Sequence, residues 1–193
     1  MHDVDRTANL LGATALAVTD MALAGATGAA GVSASGAAAL VVLSAAPGIS
    51  VTELGRRVGL SQPATARMVD ALERRGLVER RPGVGRLVAV APTAAGEQAA
   101  RGLLAARGRP LADVVSVLDT DERAVLAGLL AKLLRRLYGD VGDPDLLCRL
   151  CDRAACVRDA TCPVGQADRE ARAATAGDDA APRGAGGGAG AAP

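Results

Sequence analysis

All four cysteines of the chain lie between Cys148 and Cys162, spaced C-x2-C-x4-C-x5-C. Four thiolates at such intervals suit one tetrahedral zinc ion, which prefers sulfur ligands. The opening C-x2-C pair is a zinc signal, but the second C-x2-C of a zinc ribbon is missing. The terminal Cys162-Pro163 is also the ending of an iron–sulfur run, whose other spacings do not match. A reversible disulfide is a third chemistry, and ordinary reduced thiols are a fourth reading. Zinc, an iron–sulfur cluster and a redox pair therefore stay open for Cys148, Cys151, Cys156 and Cys162.

The other residues placed for chemistry are arginines. Between Ser50 and Thr93 stand Arg56, Arg57, Arg67, Arg74, Arg75, Arg80, Arg81 and Arg86, against Glu53, Asp70, Glu73 and Glu79, in a chain whose net charge is only +1. Such a local excess suits phosphate neutralisation. Catalysis is the weakest class. The only histidine is His2, so no Ser-His or Cys-His arrangement can be assembled inside a fold.

Elements must hold these groups in place. Ser50 with Glu53 forms a capping box, and Val51, Leu54 and Val58 share one helical face before Gly59 ends the helix. Ser61 caps a second helix, with Pro63 in its first turn, running to about Arg75. Ala64, Met68, Ala71 and Leu72 form its buried stripe, which turns Gln62, Thr65, Arg67 and Asp70 elsewhere. Two strand-like runs follow around a Gly83-Val84-Gly85 tip, the signature of a tight hairpin. Two helices and a basic two-stranded wing make a winged helix-turn-helix, whose second helix fits a DNA major groove.

The run SQPATARMVDALERRGLVERRPGVGR, followed by VAPTAAGE, resembles the MarR family of winged-helix transcription regulators. The likeness extends over residues 5–138 and is sharpest from Ser61 to Gly96. It implies that Ser61, Gln62, Ala64, Thr65 and Arg67 meet bases and phosphates, and that Arg80, Arg81 and Arg86 serve on the wing. Two departures stand out. The tip lacks the acid that braces a wing arginine in that family, and Pro92 replaces the usual leucine before Thr93.

The resulting expectation is a mainly α fold with a small β-hairpin wing and N- and C-terminal dimerisation helices. Residues 36–93 form the DNA-binding lobe, and residues 5–24 and 94–138 the dimerisation helices. Residues 139–166 form a Cys-rich helical segment, with Cys148 and Cys151 on one helix face. The tail, residues 167–193, lacks large apolar groups and is expected to be disordered.

Within that plan, residues 25–36 read as a loop or a loosened helix end, with Ser35 capping the next helix. Thr93 caps a long helix with Leu103, Leu104, Leu111, Val114, Val115 and Leu118 inward, which Gly108 and Pro110 kink. Thr120 caps another, with leucines 126, 129, 130, 133, 134 and 137 forming a core or dimer stripe. The expected partners are a double-stranded DNA operator, a second copy of the chain, and an unknown small-molecule effector of the kind the resemblance implies. Tyr138 is the only aromatic residue that could stack on such an effector. No secretory signal or membrane span is read, so the expected location is cytoplasmic.

Overall fold

The computed structural model describes residues 2–83 and 88–179. The first element, α1 (His2–Ala30), continues through Gly25 and Gly28, where a loop or a loosened helix end was expected. These glycines do not break the helix, because Gly25 is a contact point. A Cβ there would stand 2.6 Å from the carbonyl oxygen of Ala106 in α5 (Ala94–Val115). Pro110 lies inside α5 and has no N–H for that carbonyl, one turn earlier. The two helices close on each other where one lacks a side chain and the other has a spare acceptor. α5 nevertheless stays continuous through Gly108 and Pro110. By length and composition, Asp3–Gly28 would be apolar enough to cross a membrane, though its Ala26 is buried in the core.

Helix α2 (Ala34–Ala45) is the centre of the molecule, with Ala37, Ala39, Leu40 and Leu43 fully enclosed. Its cap is Ser33, whose hydroxyl accepts from the Gly36 N–H, two residues before the expected Ser35. Small side chains let α2 pass close to its neighbours, and the core is completed by Leu54, Val69, Leu72, Val78, Val90 and Leu103.

The strands are β1 (Ile49–Ser50), β2 (Val78–Pro82) and β3 (Val88–Pro92). They form one antiparallel sheet in the order β1-β3-β2, so the expected two-stranded wing has a third, short strand at its base. In the register Val78 faces Pro92 and Pro82 faces Val88. Thr93 caps α5 through the Gly96 N–H and also donates to the Gly76 carbonyl at 2.6 Å. Gly96 has to be glycine, since a Cβ would collide with the Leu77 carbonyl oxygen. The wing is thereby fastened at its root to the start of α5.

Helix α6 (Thr120–Val141) is capped by Asp119 rather than Thr120, with Glu122 completing a reciprocal capping box. None of its residues is buried. The Cys-rich segment is not one helix. Asp143 caps a single turn, α7 (Pro144–Leu147), and a second single turn, α8 (Arg153–Cys156), follows. Helix α9 (Pro163–Asp179) then occupies positions where disorder was expected. Val164 is buried at its start, and ion pairs and hydrogen bonds tie the turns that follow to α6 and to one another. Tyr138 donates to Asp168 at 2.9 Å, Arg135 pairs with Glu170 at 2.5 Å, and Arg172 pairs with Asp168 at 2.9 Å.

Candidate nucleic-acid interface and cysteine-lined pocket

The two helices of the helix-turn-helix are α3 (Val51–Val58) and α4 (Gln62–Arg74). Ser50 caps α3 by accepting from the Glu53 N–H at 3.1 Å. The expected reciprocal arm is absent among the described hydrogen bonds, because the Glu53 carboxylate takes Arg56 at 2.7 Å and Arg57 at 2.7 Å instead. The two guanidinium partners hold its pKa down to about 2. Gly59 closes α3 with φ 72 in the left-handed region.

Thr65, expected among the base-contacting residues, is fully buried, with 0% exposure. Its hydroxyl donates to the Ser61 carbonyl at 2.9 Å, and a Cβ at Gly55 would stand 2.5 Å from the Thr65 Oγ1. Thr65 is thus the wedge that sets α4 against α3. A hydroxyl already satisfied by its own helix has no access to a base edge. Ser61 occupies the cap position of α4, but its side chain makes no capping bond. Gln62 and Arg67 are exposed and Ala64 is half-buried. Arg67 has no hydrogen-bond or ion-pair partner among the described residues.

The wing arginines divide. Arg80 reaches back to α4, pairing with Asp70 at 2.6 Å and with Glu73. Those carboxylates raise its pKa, the Asp70 hydrogen bond most. It is a strut between the wing and the recognition helix rather than a free cation. Arg81 is exposed and pairs with Glu79. Arg86 and the tip residues Val84 and Gly85 fall outside the described residues.

Elsewhere, Arg75 donates to the carbonyls of Ala30 at 2.7 Å and Gly31 at 2.6 Å, holding the end of α1. Arg56 pairs with Asp143 and with Asp145 at 2.9 Å, and Arg57 stands 3.4 Å from Asp145. Much of the arginine excess counted in the sequence is therefore answered by carboxylates, some of them distant in the chain. Asp143 and Asp145 are functional candidates that helix periodicity does not reveal. Nothing in the sequence between them and Arg56 announces the pairing.

All four cysteines line one cavity of about 280 Å³, which Val41 and Val42 of α2 close on its inner side. Their thiols form a string of neighbours: Cys148 beside Cys151, Cys151 beside Cys156, Cys156 beside Cys162. The hydrogen bond from Cys151 lowers the pKa of Cys148 and raises its own. Burial pushes Cys156 up to about 11. The Gly165 N–H donates to the Cys162 sulfur at 3.4 Å. All four are free thiols. As the side chains stand, no group of three or more His, Cys, Asp or Glu among the described residues could hold a metal ion. The shared helix face expected for Cys148 and Cys151 is also lost, because α7 ends before Cys148.

Residues 30–86 match the family described as MarR family. No curated protein matches the chain. Among solved structures, a MarR family protein from Bacillus stearothermophilus is 25% identical, with a TM-score of 0.64, over 71% of this chain and 96% of that one. The YusO protein from Bacillus subtilis is 24% identical, with a TM-score of 0.59, over 69% and 96%. Streptococcus pneumoniae FabT, solved in complex with DNA, is 18% identical, with a TM-score of 0.61, over 70% and 98%. These neighbours are covered almost whole, while nearly a third of this chain is left unmatched.

Proposed function

We propose that this chain, a winged helix-turn-helix protein of the MarR family, works as a homodimeric, sequence-specific DNA-binding repressor. The observation that carries this reading is the exposed start of α4. Gln62 and Arg67 project from a helix whose other face is locked by Thr65, Met68, Val69 and Leu72. A glutamine can read adenine and an arginine guanine or phosphate, and a rigid helix keeps them in register with a major groove. Arg81 supplies exposed charge on the wing, and Arg80 sets the angle of the wing to α4. Ser61 and Ala64 border the same surface, whereas Thr65 acts only by positioning.

Pairing of two copies is supported by apolar surface left open on one chain. Leu10, Leu11 and Leu16 on α1 and Leu129, Leu130, Leu133 and Leu137 on α6 are all exposed. Burying such side chains contributes roughly 1.5–3 kcal/mol each, and a two-fold pair places two recognition helices on successive half-sites. A small-molecule effector and a cytoplasmic location belong to the same reading.

The test is binding to a palindromic operator recovered by genome-wide mapping. Arg67→Ala should weaken operator binding by about 10- to 100-fold, corresponding to roughly 1–3 kcal/mol for one specific base contact. Affinity should also fall steeply with salt. An Arg67→Ala protein that binds its operator as tightly as wild type would remove α4 from the interface.

A further inference from the structure

The cysteines of the cavity lie beyond α6, and the segment that carries them is fastened to the helix-turn-helix. Asp143 and Asp145, which begin α7, hold Arg56 and Arg57 of α3. Leu146 lies over Gly59, so close that a Cβ on that glycine would stand 2.8 Å from its Cδ1. Leu150, between the first two cysteines, packs on the main core. Val164, just after the last, is buried. Two single-turn helices and a coil have little hydrogen bonding of their own, so something other than backbone pairing must hold them together.

We propose that Cys148, Cys151, Cys156 and Cys162 bind one zinc ion as a tetrathiolate, and that this ion fixes the segment from Asp143 to Cys162 against α3. The proposal rests on the regulator reading only for its consequence on DNA, not for the site itself. Four thiols around one cavity already provide the donor set that zinc prefers. The sulfurs form an open string that holds no ion as placed, so binding requires the cysteine side chains to move together onto the metal.

Each coordinated thiol gives its proton to solvent, so four Cys–SH and one Zn²⁺ yield a centre of net charge −2 and four released protons. Arg149, Arg153 and Arg169 line the same cavity and offset that charge. The Gly165 N–H aimed at the Cys162 sulfur stabilises a thiolate there. With the ion bound, α7 keeps its grip on Arg56, Arg57 and Gly59. With the ion removed, α3 loses that support, and the angle it sets for α4 relaxes.

The experiment uses the full chain purified without chelator under reducing conditions. Metal analysis should give about one zinc per chain. Co²⁺ substitution should produce the thiolate charge-transfer band and visible bands of a tetrahedral sulfur site, and all four thiols should resist maleimide until the metal is stripped. Cys148→Ser and Cys162→Ser should each lower zinc affinity at least tenfold. Hydrogen exchange at residues 51–58 should quicken on stripping.

Protein incubated with zinc that retains no metal and keeps four reactive thiols would overturn the proposal. So would an intact mass showing disulfides in protein handled without air, or iron with sulfide in place of zinc. Zinc bound with unchanged exchange at α3 would overturn the coupling. Failure to bind any operator, with zinc present and α3 protected, would count against the regulator reading and leave the site standing.

Discussion

Helices α4 and α6 both repeat apolar residues at helical spacing, yet they end in opposite situations. In α4 the stripe of Met68, Val69 and Leu72 is buried within its own chain. In α6 the stripe stays open, with Leu129 at 53% and Leu137 at 48% exposure and no residue buried. Periodicity is equal in kind, so it cannot be what separates them. The difference is what faces each helix. α4 is met by α2, α3 and β2, whereas the main neighbours of α6 among the described residues are α7 and α9, and Tyr138 and Arg135 of α6 meet α9 through Asp168 and Glu170. An amphipathic stripe tells that a helix wants an apolar partner, and not whether that partner is in the same chain.

Substitutions can sharpen or break this contrast. Leu133→Asp should have the largest effect on association, several kcal/mol, because it places an unpaired carboxylate in a surface meant for burial. Sedimentation should then report a monomer whose unfolding free energy stays within about 0.5 kcal/mol of the dissociated wild-type chain. A variant that sediments as a dimer would erase the contrast. In α4, Leu72→Ala should cost about 2–5 kcal/mol of stability in denaturant melts, as a cavity does in a closed core. A loss no greater than that from Leu133→Ala on the monomer would mean that the two stripes are equivalent.

Gly25→Val addresses the α1–α5 contact beneath the proposed dimer surface. The clash with the Ala106 carbonyl should destabilise the fold by about 1–3 kcal/mol, whereas Gly12→Ala, with open space around it, should be tolerated. Equal melting of the two would remove the close approach as a cause.

The smallest effect concerns the ionic lock on α3. The pKa of Glu53 is depressed to about 2 from an ordinary 4.5. Its contribution is therefore present above that ordinary value and is lost as pH falls toward 2. Glu53→Gln should cost under about 1 kcal/mol at neutral pH, as partly exposed pairs do, and should flatten the acid limb of the stability profile between pH 5 and 2 in proportion. An unchanged acid limb would show that Arg56 and Arg57 stabilise α3 through Asp143 and Asp145 alone.

The helix-turn-helix was the most legible part because its signals are local. Ser50, Gly59, Pro63 and Gly76 punctuate the backbone within a few residues of the bonds they make or release. The caps of α2 and α6 were misread by one or two residues, since Ser33 and Ser35, or Asp119 and Thr120, are equally able hydroxyl or carboxylate acceptors. Gly25 was misread because a glycine that breaks a helix and one that admits a neighbouring helix look the same in one dimension. For the candidate site, Gln62 and Arg67 are placed as expected on an open face, while Thr65 turned inward and Arg80 turned to Asp70 and Glu73.

By itself, the order of residues determined that a helix-turn-helix and a wing exist, where α3 and α4 begin and end, and that four soft ligands sit in one short stretch. Backbone propensity, capping and turn chemistry are decided within one or two helical turns. The folded chain alone decided that Arg56 answers to Asp143 and Asp145, that α7 rests on Gly59, and that the leucines of α6 remain uncovered. Those outcomes depend on which surfaces meet across long separations. Such meetings are governed by shape and charge in three dimensions, which no local pattern encodes.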